Sequence, residues 1–142
     1  MIAYLDTSAF VKLLVDEAHS AQVRKIVETS DEVVTHLVAY AEACSAFARF
    51  ARHQNDPRLF QRLKEGLDQL WPTWSVVMVD ESLVRQAGVF AGRYGLRGYD
   101  SVHLAAADAV YRLLGSESVF GFLAYDAALQ AAAEEAGIPL LN

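Results

Sequence analysis

The chain has 142 residues, and 54% of them are hydrophobic, a length and balance that suit one folded domain with a real core and exclude a disordered chain. No apolar run reaches the ~18 residues of a membrane span, and the start lacks the basic stretch and apolar core of a secretion signal. The formal charge of −6 disfavours a nucleic-acid partner only weakly, because acids gathered on a cation would account for much of it and arginine, the better phosphate fork, supplies nine of the twelve basic side chains.

Residues 2–5 read as a first strand that runs into Asp6, followed by Thr7, Ser8 and a short helix over 8–15. An amphipathic helix spans 18–29 through Val23, Ile26 and Val27, and residues 32–35 read as a short strand. A long helix over 37–53 places Leu37, Tyr40, Cys44, Phe47 and Ala51 at helical spacing. Cys44 is the only cysteine; it reads as a small buried apolar residue, excludes an internal disulfide and fits a reducing cytoplasm. Asn55-Asp56-Pro57 marks a break in which Asp56 caps and Pro57 suits a first turn, and the helix over 57–70 carries Leu59, Leu63, Leu67 and Leu70 on one face.

Ser75 to Val79 is a β-branched strand, and Asp80 caps a helix over 81–94. Gly95 and Gly98 bracket a turn before Asp100 opens a helix over 100–114. A strand over 119–124 runs into Asp126, a helix over 127–136 stops at Gly137, and 138–141 form a short final strand. This alternation predicts an α/β fold of one domain over 1–142, three layers deep (α/β/α), with a mostly parallel central sheet. Helices 37–53 and 57–70 have no strand between them and are expected to project as an α-hairpin arm.

Asp6 and Asp126 each end a strand and precede a helix, at the sheet edge where open α/β folds bind ligands. On position alone, each serves equally as a helix cap or as a ligand. Asp100 reads first as a cap. Glu42 lies mid-helix opposite the apolar stripe, with Ser45 and Arg49 on its side, and by periodicity faces solvent. Asp108 lies about 12 Å beyond Asp100 along the helix at ~1.5 Å per residue and reads as a surface acid. Carboxylates gathered closely need a cation, and an oxygen donor set without His or Cys pairs at zinc spacing suits Mg²⁺ or Mn²⁺. Among the four histidines only His103, one turn past Asp100, falls near the proposed site, and it reads as a packed side chain.

Three segments, YLDTSAFVKLL at 4–14, GYDSVHLAAA at 98–107 and FLAYDAAL at 122–129, together with Glu42 in VAYAEACSAF, resemble PIN-domain proteins of the VapC toxin type. The resemblance implies a PIN fold, a ribonuclease using Mg²⁺ or Mn²⁺, a VapB-like antitoxin partner and a homodimer. It carries the family acids onto Asp6, Glu42, Asp100 and Asp126, and so overrides the solvent-facing reading of Glu42. Asp6 and Asp100 are expected to hold the metal, with Glu42 and Asp126 completing the pocket. Thr7, Ser8, Lys12, Arg49 and Arg97 are candidate substrate contacts, with Arg52 and Arg93 as further candidates for the RNA backbone. Single-stranded or looped RNA is the expected target. One departure is Ala124, where the family often has Ser or Thr two residues before the fourth acid. The rival reading is a catalytically weak or inactive PIN-like interaction module.

Overall fold

The computed structural model describes residues 1–115 and 118–142. Its sheet has four parallel strands, β1 (Ile2–Leu5), β2 (Glu32–His36), β3 (Ser75–Val77) and β4 (Phe120–Leu123), in the spatial order β3-β2-β1-β4. Around it lie α1 (Thr7–Phe10), α2 (Ser20–Thr29), α3 (Ala39–His53), α4 (Leu59–Leu70), α5 (Glu81–Tyr94), α6 (Gly98–Leu114) and α7 (Ala127–Glu135). β1 sits between β2 and β4, so the winding direction reverses there. The carboxyl ends of β1 and β4 therefore flank the topological switch point, where such sheets open a crevice. No helix among the described residues is long and apolar enough to cross a membrane.

Alternation along the strands divides the core into two layers. Ala3, Leu5, Val33 and Leu123 pack with Phe10, Val23, Phe47, Leu63, Leu67 and Trp74 on one face. Tyr4, Val34, Phe120 and Phe122 pack with Phe90, Leu104, Leu129 and the alanines 105–107 on the other. The small side chains of α6 let that helix lie deep between α5, α7 and the sheet. The α/β/α layering and parallel sheet are those expected from the alternating pattern. The α3–α4 pair is antiparallel, since Tyr40 near the start of α3 bonds to Asp68 and packs on Trp71 at the end of α4. Ala43, Phe47, Leu63 and Leu67 build its base into the core, while residues 52–55 at its tip are exposed.

Several helix boundaries differ from the expected ones, for local reasons. The helix predicted over 8–15 ends at Phe10 and tightens into a 3₁₀ turn, Val11–Leu13, closed by the Leu14 N–H to the Val11 carbonyl at 3.0 Å. α2 starts at Ser20 because His19 adopts a left-handed φ of 70°, which a right-handed helix cannot include. α3 starts at Ala39 rather than 37, and its buried stripe is Ala39, Ala43, Phe47 and Ala51; Leu37 is exposed. α6 starts at Gly98, two residues before Asp100. Asp108, expected at the surface, is buried and accepts from Arg112 Nε at 2.8 Å. The predicted final strand is reduced to one parallel bridge from Leu140 to Phe122.

That bridge depends on Gly121. A Cβ at this position would collide with the Leu141 side chain. Glycine lets the last residues close over β4, where the Phe122 N–H donates to the Pro139 carbonyl at 2.7 Å and the Leu141 N–H to the Phe122 carbonyl at 2.9 Å. Gly121→Ala is expected to lower the unfolding free energy by about 1–3 kcal/mol in a urea titration, as overpacking does. Adding Leu141→Ala should recover part of the loss. An unchanged urea midpoint in Gly121→Ala would contradict the close approach.

Candidate active site

Asp6 follows β1 directly, and its N–H donates to the Leu123 carbonyl at 3.1 Å, extending the β1–β4 pairing by one residue. This pins its carboxylate at the switch point. One oxygen accepts from the Ala9 N–H at 2.9 Å, and the Ser8 hydroxyl reaches the two oxygens at 2.7 and 2.9 Å. Asp6 thus caps α1 and lines the cleft at once, so the two readings open at the sequence level do not exclude each other. Asp126 repeats the arrangement after β4. Its Oδ1 accepts from the Leu129 N–H at 2.9 Å as the cap of α7, while Oδ2 faces Arg97 Nη2 at 3.5 Å.

Asp100 does not cap α6. It lies in the first turn of that helix, and its Oδ2 accepts from Arg97 Nε at 3.1 Å. Glu42 lies in the first turn of α3 and is half-buried rather than solvated. The structure therefore brings Asp6, Glu42, Asp100 and Asp126 onto one cleft of about 770 Å³, also lined by Thr7, Ser8, Lys12, Arg49, Arg97 and His103.

The other candidate residues differ in what they already hold. The Thr7 hydroxyl donates to Glu42 Oε1 at 3.1 Å, and the Ser8 hydroxyl accepts from the Tyr125 N–H at 3.0 Å while donating to Asp6. Both hydroxyls are engaged in placing the acids. Lys12 pairs with Glu17 at 2.9 Å and sits over the Tyr125 ring at 4.9 Å. Arg49 donates to the Ser45 hydroxyl at 2.9 Å on the cleft wall. Arg97 spans Asp100 and Asp126 at the mouth, and the bond to Asp100 raises its pKa further. Arg52 lines a separate groove at the hairpin tip, and Arg93 stands on α5 outside the cleft. Ala124 is fully buried in the core layer of α6 and α7.

Two residues the sequence did not single out belong to this site. His36 ends β2 at the same sheet edge as Asp6, and is fully buried with its Nε2 at 3.5 Å from Glu42 Oε1. Tyr4 on β1 bonds through its hydroxyl to His103 Nδ1 at 3.2 Å. The predicted strand over 32–35 stopped one residue short of His36. Carried to its end, the strand-end rule that found Asp6 would have found it.

His36, Glu42 and His103 each offer one ligand atom within 4.8 Å of the others, a spacing that a metal ion could bridge. However, the Ala39 N–H donates to His36 Nδ1 at 3.2 Å, which leaves the proton of the neutral ring on Nε2. Burial, with His103 beside it, pushes the His36 imidazole down to about 3, so the ring is neutral at physiological pH. It presents a hydrogen rather than a lone pair to Glu42. The oxygen donors of Asp6, Asp100 and Asp126, with the free oxygen of Glu42, fit a hard divalent cation better. Asp6 carries the mark of such a place. Burial pushes its carboxyl up, and the nearby Asp100 charge adds to this, while His103, the Ser8 hydroxyl and the Ala9 N–H pull it down.

The family model for the PIN domain matches residues 3–119. The chain belongs to the PIN-domain family. Among its relatives is Ribonuclease VapC49 of Mycobacterium tuberculosis (strain ATCC 25618 / H37Rv), 33% identical over 110 residues that span 77% of this chain and 76% of the relative. FitAcB from Neisseria gonorrhoeae shares the fold at a TM-score of 0.70 and 18% identity, covering 100% of this chain and 97% of that one. A toxin-antitoxin complex from Klebsiella pneumoniae does so at 0.63 and 12%, covering 87% and 86%. Resemblance and comparison agree on a PIN domain of the VapC type.

In this PIN domain the buried Asp6 opposes folding when ionised. Its folded pKa lies above the ordinary carboxylate value, so stability is fullest below that value and declines as pH rises through the folded pKa. Asp6→Asn keeps an acceptor for the Ala9 N–H and removes the charge. Without divalent cations at pH 7 it is expected to melt about 2–8 °C higher, the shift that roughly 1 kcal/mol produces in a domain of this size. Scanning calorimetry at pH 7 and pH 4 checks this, and the gain should shrink at pH 4. A variant that melts at or below the parent temperature at pH 7 would contradict the electrostatic reading of Asp6.

Proposed function

We propose that the chain is a VapC-type endoribonuclease that hydrolyses RNA phosphodiester bonds at the Asp6–Glu42–Asp100–Asp126 cleft. The observation that carries the proposal is the meeting of these four acids, delivered by four separate elements, at the switch point of the sheet. A non-catalytic interaction module has no use for that convergence. Asp6 and Asp100 would hold Mg²⁺ or Mn²⁺, with Asp126 and Glu42 completing the pocket. Bound there, the cation supplies a lowered pKa for the attacking water and neutralises charge on the phosphoryl oxygens.

The chain's own groups supply the rest. Glu42 would orient the attacking water. Lys12, Arg49 and Arg97 line the cleft as cations for the RNA backbone. Attack of water on phosphorus with departure of the 3′-oxygen, which takes up a proton, leaves a 5′-phosphate and a 3′-hydroxyl and needs no ribose 2′-hydroxyl. Single-stranded or looped RNA suits an open cleft with exposed tyrosine at its edge, where Tyr99 is 57% exposed.

A VapB-like antitoxin would inhibit the enzyme. Arg97 across Asp100 and Asp126 illustrates the charge pairing by which an antitoxin arginine would fill the same acids. The chain would also pair as a homodimer, through the α3–α4 arm or through α5, where the exposed Val84 and Val89 favour the latter. The cytoplasm is the expected compartment.

Purified protein incubated with total RNA and Mn²⁺ is expected to cleave it, and Asp100→Asn to lose at least about 100-fold in rate, the scale of one lost charge-stabilising contact in a transition state. End-labelling should find 5′-phosphates. Equal cleavage by the parent and Asp100→Asn, or cleavage that survives chelation, would overturn the assignment.

A further inference from the structure

Every side-chain hydrogen bond and ion pair that the structure gives Glu42 among the described residues falls on one carboxylate oxygen. The Thr7 hydroxyl and His103 Nε2 each lie 3.1 Å from Oε1, and His36 Nε2 lies 3.5 Å from it. Oε2 has no such partner, on a residue that lines the cleft. Both imidazoles are buried, and their ring centroids are 4.0 Å apart beneath the carboxylate.

The proton positions follow from what lies behind each ring. The Ala39 N–H, an obligate donor, fixes a lone pair on His36 Nδ1 and so a hydrogen on Nε2. That Nε2 is buried and has no partner within hydrogen-bond distance, and it is aimed at Glu42. Behind His103, the Tyr4 hydroxyl meets Nδ1 at 3.2 Å. With the hydroxyl hydrogen on that contact, His103 Nε2–H points forward between Glu42 Oε1 and the Thr7 hydroxyl oxygen, each at 3.1 Å, while the Thr7 hydrogen goes to Glu42. The Glu42 carboxylate therefore receives hydrogen bonds from α1 and α6, and the unpartnered His36 Nε2 at the end of β2 faces the same oxygen at 3.5 Å.

We propose that His103 and His36 are positioning residues for Glu42: with Thr7 they hold Oε1, and thereby aim Oε2 at the reacting phosphate and its water. Tyr4 and the Ala39 N–H set which nitrogen of each ring carries the hydrogen. This rests on the ribonuclease reading above and names residues that act through Glu42 rather than on RNA.

The test has two parts. Long-range ¹H–¹⁵N spectra of the two imidazoles in the full chain at pH 7.5 should show the Nε2–H form for both, and Tyr4→Phe should release His103 to a mixture. An Nδ1–H form for His36 would overturn the wiring whatever the activity. Kinetics on a fluorogenic RNA with Mn²⁺ should show His103→Leu lowering kcat by about 10- to 100-fold with KM nearly unchanged, the usual size for partners that orient a working group. His103→Gln, whose amide nitrogen can stand near the Nε2 position, should recover most of the loss. In a Glu42→Gln background, His103→Leu should cost nothing further.

Should His103→Leu fail to fold, Tyr4→Phe keeps the ring in place, and the proposal then requires kcat to fall in that variant. A parent without RNA cleavage would sink the ribonuclease reading and leave the spectra to judge the wiring. An active parent with full kcat in His103→Leu, or a loss that persists undiminished without Glu42, would overturn the proposal alone.

Discussion

Mutual repulsion of four carboxylates at one cleft is the constraint around which this structure is arranged. The fold answers it acid by acid. Each of the four sits at or within the first turn of a helix, α1 for Asp6, α3 for Glu42, α6 for Asp100 and α7 for Asp126. Free N–H groups and the positive end of the helix dipole favour negative charge at those places. Hydroxyls from Ser8 and Thr7 then serve Asp6 and Glu42, and Arg97 serves Asp100 and Asp126. Asp6 remains undercompensated, because its burial raises its pKa despite these donors. On the proposed ribonuclease reading, a divalent cation held by these acids would supply the missing counter-charge.

The parallel sheet makes the convergence possible. Strand order β3-β2-β1-β4 puts β1 and β4 side by side, with both carboxyl ends at the same edge. Residues 120 positions apart in the chain, Asp6 and Asp126, thereby line one crevice. The two core layers hold that edge from opposite faces, α1 to α4 on one side and α5 to α7 on the other. Glu42 comes from the first layer and Asp100 from the second, so the cleft closes only when both layers are packed.

What could be read in the sequence follows the same physics. Asp6 and Asp126 were legible because a short apolar strand followed by an acid and a helix is a local pattern. Asp100 was found as a helix-start acid, but its role as cap was wrong: the helix begins at Gly98, and glycine gives no periodic signal there. Glu42 was misplaced by periodicity, because the large residues Leu37, Tyr40 and Cys44 suggested a stripe one residue out of phase. The buried stripe is made largely of alanines, 39, 43 and 51 with Phe47, whose small size weakens the pattern. Family resemblance supplied what periodicity could not. His36 escaped notice because the predicted strand stopped one residue short of it, and Tyr4 because its contact with His103, 99 residues away, lies in no local window.

The most direct measurement is an electron paramagnetic resonance titration of the purified chain with Mn²⁺, repeated on Asp6→Asn and Asp100→Asn. If the acids form one cation site, free Mn²⁺ signal is lost stoichiometrically with the parent, is restored by excess Mg²⁺, and is far less reduced by either variant. Mn²⁺ uptake that ignores both substitutions, or RNA hydrolysis by a chain that takes up no divalent cation, would contradict the account.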